Sequence, residues 1–373
     1  MSDAYAARRG RVAERLAADG IGAALFEDAE GCRDLALRYL SGQPGDALLV
    51  IGADGRSILV AWDVNLAHLM ASADEILAYT DFGRLSARAL CAALERIGVP
   101  AGSKVELPST FAYPRYVDFV ELLPDYDLVC RSGGVDATVR ASRSVKDSAE
   151  LEIYRRAADI TNGVMDEIEA GVRSGDIKTE IDVALFIERA GRQAGCEGTG
   201  FETLAAGPSR SWGIHAFPPY GAGAFGTEGM SILDFGLKLE GYTTDVTMSF
   251  VRGKLGPERE RMIKLVERVH DETIAMMKSG ESCRAIALRA DDIFAEAGLS
   301  MPHALGHGVG LETHEAPSIR SREDNADRLE VGQIVTSEPG LYDPEQGGVR
   351  WEDDILITST GGEVLTKSRI VRL

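Results

Sequence analysis

Residues 231–250 restrict the possible folds more than any other part of the chain, because they alternate in the manner of two consecutive strands. The first half places leucine and phenylalanine side chains on one face and Asp234 on the other. The second half places valine, methionine and phenylalanine on one face and Asp245 on the other. The segment therefore predicts an antiparallel hairpin with two carboxylates opposite its apolar stripe.

The register of this hairpin depends on where the chain turns. A turn centred between Leu239 and Glu240 sets Asp234 opposite Asp245, with their Cβ atoms about 4.5–5.5 Å apart. A turn at Glu240-Gly241 shifts the pairing by two residues, and the sequence leaves both registers open. Carboxylates this close repel each other unless a cation lies between them, although such a pair taken alone is more often a solvated face.

Three of the six histidines lie within residues 303–314. His303 and His307 have the i, i+4 spacing of a zinc-binding helix, but the glutamate of that motif is missing and three nearby glycines would break a helix. Glycines on both sides of His307 favour close backbone packing around something bound. A glycine-rich turn with exposed histidines is the alternative when this segment is taken alone.

Two glutamates lie in strand-like sequences near the C-terminus. Glu338 shares a face with Ile334 and Thr336, at positions that would otherwise be half buried. Glu352 shares a face with Arg350. Because a carboxylate in an apolar strand costs free energy unless it is paired or coordinated, both an Arg350–Glu352 ion pair and metal coordination are open.

A polar segment, residues 137–146, is the predicted domain boundary. Residues 1–137 alternate helices and strands, with a hairpin turn at 52–55 and a helix near 85–97, which predicts a small α/β domain. Residues 138–373 predict an α+β domain built on antiparallel strands. Its predicted strands are 231–239, 242–251, 333–338 and 349–357, and its predicted helices begin at the capping box of Asp147, near Thr179 and at Pro257, with a further helix before Gly298.

Composition excludes several classes of protein. A formal charge of −19 argues against a nucleic-acid partner, since phosphate backbones are bound by an excess of Lys and Arg. The five cysteines form no Cys-x-x-Cys pair, so neither a zinc ribbon nor a disulfide framework is indicated. Apolar stretches are too short to cross a bilayer, and no signal-peptide core is present. We therefore expect a cytoplasmic protein with no membrane partner.

Residues 221–226 match the dinucleotide-binding pattern Gly-x-Gly-x-x-Gly, but they follow two prolines rather than a strand. They also lead into a predicted strand rather than a helix, the reverse of what pyrophosphate binding requires. We interpret them as a flexible loop and expect no dinucleotide cofactor.

In their order and spacing, these segments resemble the pita-bread metallopeptidases, which include aminopeptidase P, prolidase and the methionine aminopeptidases. The resemblance extends from about residue 138 to the C-terminus, and the N-terminal half resembles the family's accessory domain in length and in the phrase at 37–42. It implies an α+β fold, with a C-terminal pita-bread (creatinase/aminopeptidase-like) catalytic domain at 138–373 and a smaller N-terminal creatinase/prolidase-like α/β domain at 1–137. The matching residues are Asp234, Asp245, His307 in Gly-His-Gly-Val-Gly, Glu338 in Ser-Glu-Pro-Gly, and Glu352 in Val-Arg-Trp-Glu-Asp-Asp.

The resemblance implies two divalent metal ions per chain. Asp245 and Glu352 would bridge the two ions, Asp234 would chelate one, and His307 with Glu338 would hold the other. Hard oxygen ligands favour Mn, with Co, Zn and Fe as alternatives. Glu338 would also carry a proton from the attacking water to the leaving nitrogen.

Four further residues match positions that act on the substrate in the family. His215 matches the histidine that contacts substrate, and His303 and His314 match the pair that stabilises the oxyanion and positions the proline side. Arg350 matches the arginine two residues before the last ligand. One departure is Met248, where the family often has an arginine.

The implied activity is hydrolysis of Xaa-Pro bonds in small peptides by a homodimeric dipeptidase or aminopeptidase P-like enzyme, with dipeptides preferred. The alternative is a non-peptidase hydrolase or lyase on the same fold, creatinase-like or ectoine-hydrolase-like. Creatinase-like proteins have lost the metal ligands, which this sequence keeps. A non-catalytic binding protein is the third hypothesis.

Overall fold

The computed structural model describes residues 2–373, with side chains described from Ala4 onward. The chain forms two units that meet in sequence between Arg143 and Ser144. The predicted boundary at residue 137 falls inside a helix, Val135–Ser144, that runs up to this point. Within the described residues, none of the helices combines the length and the apolar character needed to cross a bilayer.

The first unit is a mixed sheet with helices. Its helices are α1 (Ser2–Asp19), α2 (Ala36–Ser41), α3 (Val64–Met70), α4 (Ser86–Ile97), α5 (Tyr113–Leu122) and α6 (Val135–Ser144). Its strands are β1 (Ala23–Asp28), β2 (Ala47–Gly52), β3 (Ser57–Ala61), β4 (Glu75–Ala78), β5 (Lys104–Leu107) and β6 (Asp127–Cys130), and Tyr79–Phe82 forms a turn of 3-10 helix. The strand order is β4-β3-β2-β1-β5-β6.

Local sequence signals account for much of this unit. The predicted hairpin is confirmed, since β2 and β3 pair antiparallel across the turn from Ile51 to Ser57. The predicted helix α4 ends at Gly98, whose φ of 80° is readily adopted only by glycine. Arg8 and Arg9 donate to the carbonyl groups of Tyr39 and Leu40, at the carboxyl end of α2 where cations are favoured.

The second unit combines four helices with short strands that pair antiparallel, except for the last strand, Ile370–Arg372, which pairs parallel with Val246–Arg252. The helices are α7 (Ser148–Ser174), α8 (Glu180–Gln193), α9 (Pro257–Met276) and α10 (Cys283–Glu296). The strands before α9 are β7 (Gly198–Thr199), β8 (Leu204–Ala206), β9 (Gly229–Phe235), β10 (Leu237–Leu239), β11 (Tyr242–Thr243) and β12 (Val246–Arg252). Those after α10 are β13 (Gly306–Gly308), β14 (Glu315–Ile319), β15 (Ile334–Ser337), β16 (Gly340–Asp343), β17 (Gly347–Arg350), β18 (Asp353–Ile357), β19 (Gly362–Val364) and β20 (Ile370–Arg372).

These strands form several small sheets rather than one. The two largest have the orders β20-β12-β9-β8 and β14-β13-β15-β18-β19, and smaller sheets join β11-β10-β7 and β16-β17. Helices α9 and α10 contribute Val266, Ile293 and Phe294 to a core that also contains Val335 and Ile355 from the five-stranded sheet. The predicted α+β class is confirmed.

The helix starts follow the capping signals in the sequence. Asp147 accepts from the amides of Ala149 and Glu150, and the Glu150 side chain accepts from the Asp147 amide, which completes the predicted capping box. Thr179 caps α8 in the same way, with Asp182 as its reciprocal partner. Pro257 opens α9 as predicted.

The hairpin of β9 to β12 turns at Glu240-Gly241. Leu239 pairs with Tyr242, and both turn residues have positive φ, 48° for Glu240 and 92° for Gly241, as a two-residue hairpin turn requires. Asp234 therefore pairs with Thr247 rather than with Asp245. Of the two registers that the sequence left open, the shifted one is observed.

Candidate active site

The nine residues singled out in the sequence come from separate strand ends and loops of the second unit. Asp234 lies in β9, Asp245 between β11 and β12, and His307 in β13. Glu338 follows β15, and Glu352 lies between β17 and β18. All nine line one cavity of about 710 Å³: His215, Asp234, Asp245, His303, His307, His314, Glu338, Arg350 and Glu352.

A cluster of metal-ligand atoms lies at this cavity. One ligand atom from each of Asp245, His307 and Glu352 lies within 4.8 Å of the others. His307 Nε2 is 3.7 Å from Asp245 Oδ2 and 3.4 Å from Glu338 Oε1. The structure thus brings three predicted carboxylate ligands, Asp245, Glu338 and Glu352, close to the imidazole of a fourth ligand, His307, and it places Asp234 in the same cavity.

The orientation of the His307 ring suits a metal ligand. Its Nδ1–H donates to the carbonyl oxygen of Gly308 over 3.1 Å, which leaves Nε2 facing the carboxylates. A backbone carbonyl on the second ring nitrogen is the usual way in which proteins fix the tautomer of a ligating histidine. Neutral His307 can therefore offer its Nε2 lone pair to a cation.

The glycines around His307 are explained by strand packing. A Cβ atom at Gly306 would lie 2.1 Å from the carbonyl oxygen of Thr336 in β15. A Cβ atom at Gly308 would lie 2.1 Å from the carbonyl oxygen of Ala316 in β14. The crowding predicted from the sequence is real, but its source is the neighbouring strands rather than a bound group.

Two carboxylates of this cluster, Asp245 and Glu352, are costly to ionise by themselves. Burial, followed by the charges of Glu352 and Asp234, raises the pKa of Asp245 well above its ordinary value. Burial and the charges of Glu338 and Asp234 do the same to the pKa of Glu352. Burial opposes a charge on His307, but the hydrogen bond and charge of Glu338 outweigh it and raise the His307 pKa. The cluster therefore favours a positive charge at its centre.

Asp234 is held by Arg350, which is only 2% exposed. The same guanidinium donates to Thr247 Oγ1 at 2.9 Å, to the hydroxyl of Tyr342 at 2.9 Å and to the carbonyl of Ile214 at 3.3 Å. The ion pair that the sequence suggested between Arg350 and Glu352 is replaced by this pair with Asp234. Glu352 instead accepts from Thr247 Oγ1 at 2.7 Å.

These residues fit a divalent metal centre. Asp234 Oδ1 is buried and has no hydrogen-bond partner within residues 2–373. A buried carboxylate oxygen is rarely left in that condition in a folded protein. Together with the His307 Nε2 that faces the carboxylates and the mutual repulsion of Asp245 and Glu352, it describes a donor set that a cation would complete.

Tyr342 is a site residue that the sequence reading missed. Its hydroxyl accepts from Arg350 and lies 3.0 Å from His303 Nε2. Because His303 Nδ1–H donates to the carbonyl of Ala304, Nε2 of the neutral ring accepts from the tyrosine. Burial raises the pKa of Tyr342 to about 12, so it remains a donor at neutral pH. Its strand, β16, was not predicted, and the glycine paired with it, Gly348, is explained first by Ser211, whose carbonyl oxygen a Cβ atom there would meet at 2.0 Å.

Asp354 is a second residue without an assigned role in the sequence. Its Oδ2 accepts from the amide of Asp245 at 3.1 Å, which fixes the backbone beside that carboxylate. Burial raises the pKa of Asp354 to about 8. Its neighbour Asp353 faces away, toward His270 at 3.1 Å and Thr366 at 2.7 Å. Strand alternation from Glu352 predicts that Asp354, not Asp353, points to the site.

The histidines assigned to substrate lie around the cluster. His303 Nδ1 is 3.8 Å from Glu338 Oε2. The His314 ring lies 4.3 Å from that of His307, centroid to centroid, and His314 and His215 are exposed at the cavity. Met248 lies in the core opposite Leu233, fully buried. The geometry is compatible with the roles expected for the histidines, which remain predictions.

Comparison with known proteins bears on this site. Residues 152–359, more than half of the chain, match the profile of metallopeptidase family M24. The chain belongs to this family. The resemblance to pita-bread metallopeptidases seen in the sequence is thereby confirmed, and the matched range contains every predicted metal ligand.

Two known proteins resemble the chain in sequence. The candidate dipeptidase YkvY of Bacillus subtilis (strain 168) is 31% identical over 62% of this chain and 63% of its own length. An uncharacterised peptidase of Staphylococcus aureus (strain USA300) is 32% identical over 63% of this chain and 66% of its own. The chain thus spans less than two thirds of these relatives.

Solved structures match over nearly the whole chain. A Xaa-Pro dipeptidase from Bacillus anthracis superimposes with a TM-score of 0.86 and 26% identity, covering 99% of this chain and 100% of that one. An X-Pro aminopeptidase from Thermotoga maritima MSB8 has a TM-score of 0.84 at 24% identity, covering 98% and 99%. At that identity the second match supports the fold alone.

Proposed function

We propose that this M24 protein is a metal-dependent peptidase that hydrolyses Xaa-Pro bonds in small peptides. The observation that carries the proposal is the convergence of Asp245, His307 and Glu352 within 4.8 Å in a cavity that Asp234 and Glu338 also line. The fold shared with the Bacillus anthracis Xaa-Pro dipeptidase supports the proline preference. The complete donor set leaves the creatinase-like alternative without support.

The proposal includes two divalent ions, which would be held by Asp234, Asp245, His307, Glu338 and Glu352. Oxygen-rich ligands favour Mn over Co, Zn or Fe. The chemistry that such a pair supplies is a water of lowered pKa and a polarised scissile carbonyl. We further propose that the protein is a homodimer and that it is cytoplasmic. The five free cysteines support the cytoplasmic location, because free thiols suit a reducing compartment.

Glu338 is the proposed proton carrier. Its carboxylate lies 3.4 Å from His307 Nε2 and 3.8 Å from His303 Nδ1, at the wall of the cavity. It can accept a proton from water and deliver it to the proline nitrogen, which must gain one to leave as an amine. His314 is exposed at the cavity, where its ring N–H can donate to the developing oxyanion.

The surroundings of Arg350 bear on the length of the substrate. Arg350 lines the cavity, and a cationic arginine there would favour a dipeptide whose free carboxylate it could bind. All three of its guanidinium nitrogens instead donate to Thr247, Tyr342, Ile214 or Asp234, and the side chain is buried. The guanidinium is therefore not available to bind the free carboxylate of a dipeptide, so it gives no physical reason to expect a preference for dipeptides. We propose instead that Arg350 positions Asp234.

Selectivity for proline is the direct test of the proposed function. With Mn or Co supplied, we expect Ala-Pro or Ala-Pro-Ala to be cleaved with a kcat/KM at least about tenfold above that of Ala-Ala, since the pocket must distinguish the ring. Equal values for Ala-Ala would remove the proline preference. Faster cleavage of Ala-Pro-Ala would place the enzyme with the aminopeptidases, and no cleavage of any of the three would contradict the peptidase proposal.

His215→Ala tests the substrate side of the cavity. His215 is exposed and lies outside the metal cluster, so we expect the variant to keep its metal content and to lose about 10- to 100-fold in kcat/KM, the worth of one hydrogen bond to a charged group. His68→Ala, an exposed histidine on α3, is the matched control. Parent-like turnover, or loss of the metal, would show that the role is wrongly assigned.

A further inference from the structure

One wall of the cavity is formed by an irregular segment between β8 and β9. We call residues 207–221 the pocket loop. It supplies Ile214, His215, Phe217 and Pro219 to the cavity, and Phe217 is 92% exposed. Exposed side chains on an irregular segment are poorly positioned unless the backbone is held elsewhere.

Both ends of the pocket loop are bound by a single buried carboxylate. Glu180, the first residue of α8, has a side chain that is 1% exposed. Its Oε1 accepts from the amide of Gly207 at 2.8 Å, and its Oε2 accepts from the amide of Gly221 at 2.8 Å. The two ends of the loop are thus joined through one side chain.

Arg210, from inside the loop, completes the coordination of this carboxylate. Its Nε donates to Glu180 Oε1 at 3.0 Å and its Nη2 to Oε2 at 2.6 Å, in the two-pronged geometry that is strongest for this pair. Its Nη1 donates to the carbonyl of Pro218 at 2.7 Å, next to Phe217. A carboxylate has about four acceptor positions, and here all are used for one loop.

Backbone hydrogen bonds also join the start of α8 to residues 221–223, and the backbone at residue 207 closely approaches that at residue 224. The amides of Glu180 and Ile181 donate to the carbonyls of Gly223 and Gly221, at 2.9 and 3.0 Å. A Cβ atom at Gly207 would lie 2.0 Å from the carbonyl oxygen of Ala224, so only glycine allows this close approach. The glycine-rich run at 221–226, which resembled a dinucleotide-binding motif, is therefore bound against the start of α8.

We propose that the Glu180–Arg210 pair is a positioning device that holds the pocket loop in the shape that presents His215 and Phe217 to the substrate. Neither residue lines the cavity, so their effect on turnover passes through the loop. The link to catalysis rests on the proposed function, whereas the ordering of the loop does not.

Glu180→Gln is the test, because the amide keeps the shape but replaces one acceptor with a donor and removes the charge. Measured by hydrogen exchange and mass spectrometry, amides in 207–221 should exchange about tenfold faster or more, as expected when charge-assisted bonds that close a loop are lost. Exchange in β12 and β18, and the content of divalent metal, should be unchanged. Arg210→Lys, which keeps the charge but not the fork, should give a smaller increase.

Asp182→Asn is the matched control, since Asp182 is an exposed carboxylate in the same turn of α8 that does not touch the loop. If residues 207–221 exchanged as fast in Asp182→Asn as in Glu180→Gln, the effect would come from the start of α8 and the proposal would be overturned. Unchanged exchange in Glu180→Gln would overturn it as well. If Glu180→Gln fails to fold, the comparison of Arg210→Lys with Asp182→Asn decides in the same way.

A kinetic cycle links the loop to the reaction. If Glu180 acts through His215, the loss of kcat/KM in the Glu180→Gln/His215→Ala double variant should be smaller than the product of the two single losses. If the loss of kcat/KM in the double variant equalled the product of the two single losses, Glu180 would not act through His215. The exchange result would be unaffected by that outcome. If the parent protein cleaves no Xaa-Pro peptide, the proposed function fails, and the exchange experiment still decides whether Glu180 orders the loop.

Discussion

Replacing Asp245 by Asn should remove the bound divalent ions and lower kcat/KM by about 10³-fold or more, since metal ions contribute several kcal/mol to such reactions. The same change should raise the melting temperature of metal-free protein, because Asp245 is buried against the like charges of Glu352 and Asp234. If Asp245 only stabilised the fold, its replacement would instead lower the melting temperature of the metal-free protein. Metal analysis and melting with and without chelator measure both effects.

Asp159→Asn is the control for this experiment, since Asp159 is an exposed carboxylate on α7. It should bind metal, melt and turn over as the parent does. An Asp245→Asn variant that still held two ions per chain, or a parent that remained fully active after stoichiometric removal of metal, would contradict the assignment of the donor set.

Replacing Lys146 by Met should lower the free energy of unfolding of the second unit by about 3–5 kcal/mol, the usual cost of removing one member of a buried ion pair. Lys146 Nζ lies 3.1 Å from Glu315 Oε2, and the two side chains are 1% and 4% exposed. Glu315 is the first residue of β14 and follows His314 directly, so the pair also holds the backbone next to this histidine. Urea unfolding in a Trp62→Phe background isolates the second unit, which contains Trp212 and Trp351.

The double variant Lys146→Met/Glu315→Met separates a lost ion pair from lost packing. It should recover most of the stability, because apolar replacement of a whole buried pair is often close to neutral. Lys178→Met, at an exposed lysine, should change the free energy of unfolding by less than about 0.5 kcal/mol. A Lys146→Met variant as stable as this control would show that the buried pair contributes little.

Local signals predicted much of the second unit. The capping box at Asp147 and the proline at the start of α9 depend on neighbours within a few residues. The local sequence is therefore sufficient to predict where these two helices begin. The alternation in 231–250 likewise predicted two strands with Asp234 and Asp245 off the apolar face. The turn could not be placed, because Glu240 adopts a positive φ that is uncommon for a glutamate.

Contacts between distant segments explain what was missed. The Asp234–Arg350 pair joins residues 116 positions apart, and Tyr342 meets His303 across 39 positions. Nothing in the local sequence of Tyr342 distinguishes it from a core tyrosine. The candidate ligands could be predicted because their motifs resemble those of a known family in order and spacing. Tyr342, which contacts Arg350 and His303, lies in no such motif.

The placement of Arg350 has a thermodynamic consequence. One guanidinium donates to Asp234 in β9 and to the carbonyl of Ile214 in the pocket loop. A substrate that displaces Ile214 thereby changes the surroundings of a metal ligand, and binding linkage is reciprocal by necessity. Peptide affinity measured with and without divalent ion, and ion affinity measured with and without a non-hydrolysed peptide, must then change by the same factor.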